Sequence, residues 1–481
     1  MNPASAGPTT APDWHRRGRD LQLQGDHDGA QRAYLKALEL DPGYLRSLNN
    51  LAVLAMAAQR PDQADQWLGR GLAAVTRWDD PAAPLLLNSL CQLRLQQQRP
   101  LEALATAKTL VQLAPEPSAW SNLAVALQWS CRPRQACTAQ AMALGAPLQD
   151  PLQALWQGAD GPQASAGRHV QLQNLATMEL SLDPWGRRGW QLLQARLACN
   201  KDHWQTNLAP PPWTGLWQGQ PVQELLVWDE QGYGDAIQAL RWLPAAARRC
   251  QRLRLGLRPE LLALVERRLA LPGHCKLEPL GSDGAPWQQG LAHLPLMGLP
   301  LALGLEGQAI ATGTHLKRLR PPRPGGRPPR LGLVWAAGRK GEAEADRHAR
   351  SRSLPLDGLM AVLAPLVRQG RLQLQALQVG ADGAEADGFA EVLAPTPPLG
   401  DWEATAALLE QLDGLISVDT GTAHLGASLG LPTLMLLNTP CDWRWGALGE
   451  STPWYPTMRL VRYSAMQTLG AQLGEALQTW H

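Results

Sequence analysis

The sequence predicts two architectures in tandem, an α-helical repeat array followed by an α/β unit made of two parallel-sheet halves. Three observations lead there. Small and apolar residues recur at a spacing of 34 positions near the start of the chain. From about Gln223 onward, short strand-like runs alternate with helix-compatible stretches, the pattern of parallel strands joined by crossover helices. A stretch rich in proline and arginine, Arg318 to Arg330 (RLRPPRPGGRPPR), divides that second region in two.

The repeat is explicit. After a tail, residues 1–10, rich in Ala, Pro, Ser and Thr, come Trp14, Gly18, Leu21, Ala30, Tyr34, Ala37 and Pro42. They recur as Leu48, Ala52, Ala55, Ala64, Leu68, Gly71 and Thr76. Leu87, Leu90, Cys91, Ala103, Ala107 and Pro115 form a third copy, displaced by the insertion TRWDDPAAP. Trp120, Leu123, Ala124, Leu127, Ala136 and Ala143 form a fourth. Residues 11–146 therefore resemble the tetratricopeptide repeat (TPR), a helix pair that buries its apolar face by stacking on its neighbours. Such an array either binds a partner or acceptor on its concave side or serves as a spacer or dimerisation module.

Residues 147–209 are expected to add bridging helices (PLQALWQ, RHVQLQNLATMELSLD, WGRRGWQLLQARLACN), and Pro210-Pro211-Pro212-Trp213 marks a boundary. Residues 210–320 form the first α/β half. Its strands are Glu224–Trp228 and Arg252–Leu257, and its helices Ala236–Arg248 and Pro259–Leu269. Residues 321–330 are the linker. Residues 331–481 form the second half, with strands Leu331–Trp335, Leu372–Leu377, Leu415–Val418 and Thr433–Leu437. Leu356–Arg368, Trp402–Gln411 and Met466–Trp480 are its helices, together with a short one from Ala423 to Leu429. Both halves read as Rossmann-like.

Composition narrows the function. At 481 residues, roughly three domains are expected. A net charge of +2 with 18% charged residues argues against binding nucleic acid by phosphate neutralisation. Seven dispersed cysteines without a C-x-x-C pair suggest reduced thiols, and no apolar leader follows the first methionine. A cytoplasmic protein without a membrane span is expected.

Two stretches carry the chemistry. In LISVDTGTAHLGASLGLPTLMLL, Asp419, Thr420, Gly421 and Thr422 form the loop at the carboxyl end of a strand, where free helix N–H groups and two hydroxyls can hold an anion. His424 either adds a donor there or packs on the sheet, and Asp419 and Thr420 can also simply cap the helix. In the first half, Gly232-Tyr233-Gly234-Asp235 places an unpaired acid after a glycine-rich turn. Asp235 can cap the following helix or act as a base. G-x-G without a third glycine at the right spacing, where Ile237 stands, is a weak dinucleotide fingerprint. Arg339, Lys340 and Arg352 lie in a basic loop after the first strand of the second half.

Taken together, WDEQGYGDAIQALRWLP, LGLVWAAGRK…RSRSLPLDGL, ISVDTGTAHLGASLGLPTLMLL and PCDWRWGALGESTPWYPTMRLVR resemble bacterial TPR glycosyltransferases. Their catalytic part is related to glycosyltransferase family 9, the heptosyltransferases, and the arrangement resembles the O-linked N-acetylglucosamine transferases. The resemblance implies a metal-independent, inverting GT-B enzyme with no cofactor beyond a nucleotide-sugar co-substrate. It assigns Asp235 as general base, Asp419 to the sugar, and Thr420 and His424 to the phosphates. Gly421 and Thr422 fall in the same donor motif, and Arg339, Lys340 or Arg352 would hold the diphosphate. Gly232, Tyr233, Gly234, Trp443, Arg444 and Trp454 become acceptor or cleft candidates, the aromatics a mix of core packing and cleft wall. The partners implied are the donor and a protein or glycan acceptor, with protein contact through the TPR array. Asp26-His27-Asp28 lies in a helix–helix turn of the array and is set aside as a metal motif. The alternative from a different class is a catalytically silent TPR scaffold for protein–protein interaction.

Overall fold

The computed structural model describes residues 8–145, 162–199, 216–280, 291–310, 312–321, 328–338, 352–438, 441–463 and 466–478. Arg339, Lys340, residues 1–7 of the expected tail, 210–213 and most of the expected linker lie outside them. The chain divides into two compact units, Met1–Gln149 and Asp150–His481.

The first unit is an array of four helix pairs: α1 (Ala11–Leu23) with α2 (His27–Leu40), α3 (Leu45–Ala57) with α4 (Pro61–Ala74), α5 (Ala83–Gln96) with α6 (Pro100–Leu113), and α7 (Pro117–Trp129) with α8 (Pro133–Leu144). Proline opens α4, α6, α7 and α8, where a missing N–H costs no intrahelical bond. Asp26 caps α2, its Oδ1 accepting from Gly29 N at 2.8 Å, so the D-x-D triplet is helix-capping chemistry. The recurring alanines Ala30, Ala64, Ala103 and Ala136 are each fully buried, the close-packing role their periodicity predicts. The turn within each pair places Gly25, Gln59, Gln98 or Cys131 in the left-handed region, at φ 84°, 59°, 57° and 56°. Three of these four equivalent positions tolerate a side chain there, so the turn geometry is imposed by the packed helices.

Among the described residues the second unit has helices Pro162–Leu182 and Arg187–Leu193 first and carries two all-parallel sheets. The first sheet has strand order β3-β2-β1-β4, with β1 Val222–Trp228, β2 Cys250–Leu257, β3 Cys275–Pro279 and β4 Ala292–Pro295. In the second the order is β10-β9-β8-β5-β6-β7. These strands are β5 Arg330–Val334, β6 Gln373–Ala376, β7 Leu393–Ala394, β8 Gly414–Val418, β9 Thr433–Asn438 and β10 Met458–Tyr463. Sequence reading found the central strands but passed over β3, β4, β7 and β10. These are short or lie at a sheet edge, and in β10 the solvent-leaning Arg459 and Arg462 break the apolar run.

The order in which strands are added reverses between β1 and β4 in one sheet and between β5 and β8 in the other, while every strand stays parallel. Carboxyl-end loops at such switch points diverge and leave a crevice. The loop after β1 leads to Asp235, and the loop after β8 is Asp419–Thr420. Sheet topology thus puts each candidate stretch where a ligand crevice is expected.

The helix expected at Ala236–Arg248 begins earlier and breaks. It runs Tyr233–Ala239, tightens into a 3-10 turn at Leu240–Trp242, and resumes as Leu243–Ala247. Pro244 lacks the N–H that would bond back to Leu240, which accounts for the break. Gly232 is therefore the N-cap, and Asp235 sits inside the first turn rather than ahead of it.

The two halves of this unit are interlocked. Arg268 (Nε) donates to Glu403 at 2.5 Å, and its Nη1 donates to Glu410 at 2.8 Å; all three side chains are buried. Arg268 ends the Pro259–Arg268 helix of the first half, whereas Glu403 and Glu410 belong to the helix Trp402–Leu409 and its C-cap in the second. Leu319 N also donates to Glu410, and His315 N donates to Ser428 O at 3.2 Å.

Candidate active site

The site is built where the Tyr233 helix meets the helix Gly421–Ser428. A Cβ placed on Gly234 would lie 2.7 Å from His424 Cδ2, so glycine is what allows the two loops to touch. Gly421 is confined in the same way, because a Cβ there would lie 2.6 Å from the tip of the Trp402 ring. Tyr233 spans the junction, its ring 5.2 Å from Trp402 and 3.9 Å below the Arg258 guanidinium.

Asp235 is not the unpaired acid that the sequence suggests. One carboxylate oxygen accepts from Gly232 N at 2.9 Å, and the other pairs with Arg444 Nη2 at 2.5 Å. The local reading could not see this partner because Arg444 lies in the other half of the unit. The Asp235 side chain nonetheless keeps 21% exposure, against 6% for Arg444. Its neighbours in the same loop are structural acids. Asp229 pairs with Arg258 at 2.5 Å, and Glu230 forms a fully buried pair with Arg196.

Arg444 joins the elements. Its Nη1 donates to Asp442 at 2.9 Å, its Nε to Gln238 Oε1 at 2.6 Å, and its guanidinium lies 4.4 Å from the Trp443 ring. Burial works against its charge, but Asp235 and Asp442 outweigh that and hold its proton more tightly than in water. Gln238 Nε2 is buried and has no hydrogen-bond partner among the described residues. Buried orphan donors are costly, and a bound oxygen would satisfy them.

In the Asp419–His424 stretch, Thr420 caps the helix. Its Oγ1 accepts from Ala423 N at 3.4 Å and lies 2.9 Å from Ser417 Oγ. Asp419 is buried, which pushes its carboxyl up, while Arg352 pulls the other way from 3.7 Å. Arg352 also donates to Asp419 O at 3.2 Å, so of the three basic candidates it is the one the described residues place at this loop. Gly421 and Thr422 follow at the helix start, both half-buried.

His424 is 4% exposed, with Nδ1 2.9 Å from Tyr455 Oη and Nε2 4.0 Å from Asp419 Oδ1. Burial, helped by Arg444, lowers its pKa to about 3, so at neutral pH it is an uncharged imidazole. It can offer one N–H to a ligand, not a positive charge. A folded-state pKa below the unfolded value means that the neutral form stabilises the fold fully above pH 6.5. That contribution is lost as pH falls from there towards 3. Between pH 7.5 and 5 the α/β unit should lose up to about 2 kcal/mol from this group. Urea midpoints at the two pH values, compared with those of His424→Gln, check this: the variant should show a flatter dependence.

Two of the cleft candidates sit in an aromatic cluster. Trp454 is fully buried and Trp443 nearly so, in a cluster with Trp185, Trp190 and Trp242 at ring separations of 4.6 to 6.5 Å. Trp185 and Trp190 of the preceding helical segment pack against them. Sequence reading passed over Gln238 and Asp442. Both lie inside the stretches WDEQGYGDAIQALRWLP and PCDWRWGALGESTPWYPTMRLVR, and that membership was the one signal for them.

A tetratricopeptide-repeat family model matches residues 11–44. Among solved structures, the E. coli heptosyltransferase WaaC with ADP is similar at 12% identity and a TM-score of 0.37, covering 54% of this chain and 100% of that one. A family 9 glycosyl transferase from Veillonella parvula is similar at 13% identity and a TM-score of 0.33, covering 55% and 92%. YrrB, described as a TPR protein with an unusual peptide-binding site, is similar at 17% identity and a TM-score of 0.29, covering 40% and 88%. No curated protein gives a significant match. Among the described residues, no helix is long and apolar enough to cross a membrane.

Proposed function

We infer that the α/β unit is an inverting glycosyltransferase that moves a sugar from a nucleotide donor to an acceptor hydroxyl. One observation carries the reading: the loops at the switch points of two parallel sheets meet, Gly234 against His424 and Tyr233 against Gly421, next to Asp235 in the chain. Asp235, the more exposed carboxylate, takes the proton of the acceptor hydroxyl. The hydroxyl oxygen attacks the anomeric carbon as the bond to the diphosphate oxygen breaks. The leaving diphosphate is met by helix N–H groups, the hydroxyls of Thr420 and Thr422, the His424 imidazole and Arg352, donors placed where charge develops. This reading needs no metal. The TPR array holds the protein or glycan acceptor.

The test is a thermal-shift panel on the full chain with UDP, GDP, ADP, CDP and their common sugar conjugates. A ligand at 100 times its Kd should stabilise the unit by roughly 2.7 kcal/mol. A shift with one nucleotide, lost in Asp419→Ala with His424→Ala, is the expected result. No shift with any nucleotide would instead favour the silent scaffold.

A further inference from the structure

We propose that Arg444 is a positioning residue for Asp235, supplied by one half of the α/β unit to the acid of the other. The proposal rests on the glycosyltransferase reading and adds to it how the base is aimed. Three features point this way. The guanidinium fork is held on two sides before it reaches Asp235, by Asp442 on Nη1 and by Gln238 on Nε. Nη2 is left pointing at Asp235, 2.5 Å away. The opposite carboxylate oxygen is pinned by Gly232 N, so two contacts from different elements fix the plane of the carboxylate.

Asp235 retains lone pairs for an acceptor hydroxyl after both contacts, since an ionised carboxylate offers about four acceptor positions. Because Asp235 follows β1 and Arg444 follows β9, the carboxylate is fully oriented only while the two halves lie against each other. Base orientation is thereby coupled to closure of the unit.

Arg444→Ala in the full chain should lower kcat about a hundredfold, the cost typical of a small misplacement at a reacting group, with donor KM changed less than about threefold. Guanidinium ion added to that variant should restore part of the rate. In an Asp235→Asn background, Arg444→Ala should cost little further, because one acts through the other. Additive losses, or a loss confined to KM, would overturn the proposal while leaving the glycosyltransferase reading intact. A wild-type chain that turns over no nucleotide sugar would remove both. Should Arg444→Ala fold poorly, Arg444→Lys serves. It keeps the charge but cannot reproduce the three-way fork, and should show the same kcat loss and the same non-additivity with Asp235→Asn.

Discussion

Asp235→Asn is expected to lower the rate of sugar transfer by about two to four powers of ten, the range general-base catalysis supplies. The substitution is nearly isosteric, and the amide oxygen can still accept from Gly232 N, so the helix start is preserved. Arg444 loses one carboxylate but keeps Asp442, which limits the cost of leaving a buried cation without its partner. The loss should therefore sit in kcat, with nucleotide binding retained. Initial rates alongside donor affinity decide the matter. An unchanged rate would reduce Asp235 to a helix-start residue, and lost donor affinity would move it from base to binding group.

Arg268→Ala should destabilise the α/β unit by about 3–5 kcal/mol, the cost of breaking a buried ion pair from one side. Arg268 is 2% exposed, Glu403 7% and Glu410 3%, so removal of the cation leaves two buried carboxylates. Glu403 keeps the more exposed Arg267 at 3.7 Å, and Glu410 pairs with no other cation among the described residues. The contact also ties the halves together, because Glu410 accepts from Leu319 N in the segment leading out of the first half. Urea denaturation of the full chain, with amide exchange read over the Trp402–Leu409 helix, measures both stability and loosening. Replacing all three residues together (Arg268→Met, Glu403→Met, Glu410→Leu) should recover most of the loss, since no charge then remains buried. If Arg268→Ala unfolds no more easily than the wild type, the triad contributes nothing to the interlock.

The helical array was legible because its information is local and repeated. Each pair reuses the same small residues, and Ala30, Ala64, Ala103 and Ala136 are each fully buried. The central strands and most helices of the α/β unit were legible for a related reason. A strand buried on both faces is a continuous apolar run, as in Gly414–Val418, and its ends are marked by turn residues. Edge strands such as Cys275–Pro279 carry no such run, and only pairing with β2 makes them strands. The Tyr233 helix shows the intermediate case. Its composition was readable, but its start was set by the extended Gly232 and its break by Pro244.

The stretches that carry chemistry were also visible in the sequence, and their placement at the carboxyl ends of parallel strands followed from alternating strands and helices; that these are switch points came from the strand order. Their electrostatics were not. Asp235 read as unpaired because its partner Arg444 is distant in the chain and near only after the halves meet. His424 read either as one more donor to an anion or as a ring packed on the sheet, and burial against Trp445, Tyr455 and Gly234 makes it a neutral ring. Trp443 and Trp454 read as a mix of core packing and cleft wall, and the structure adds their burial against Trp185 and Trp190 of the preceding helical segment. Sequence by itself determined the elements, the repeat and the order of the motifs, because these depend on periodicity and turn chemistry within a few residues. Only the tertiary structure decided which charges are paired and which rings are buried, because Coulomb interaction and desolvation depend on distances between segments that sequence spacing does not contain.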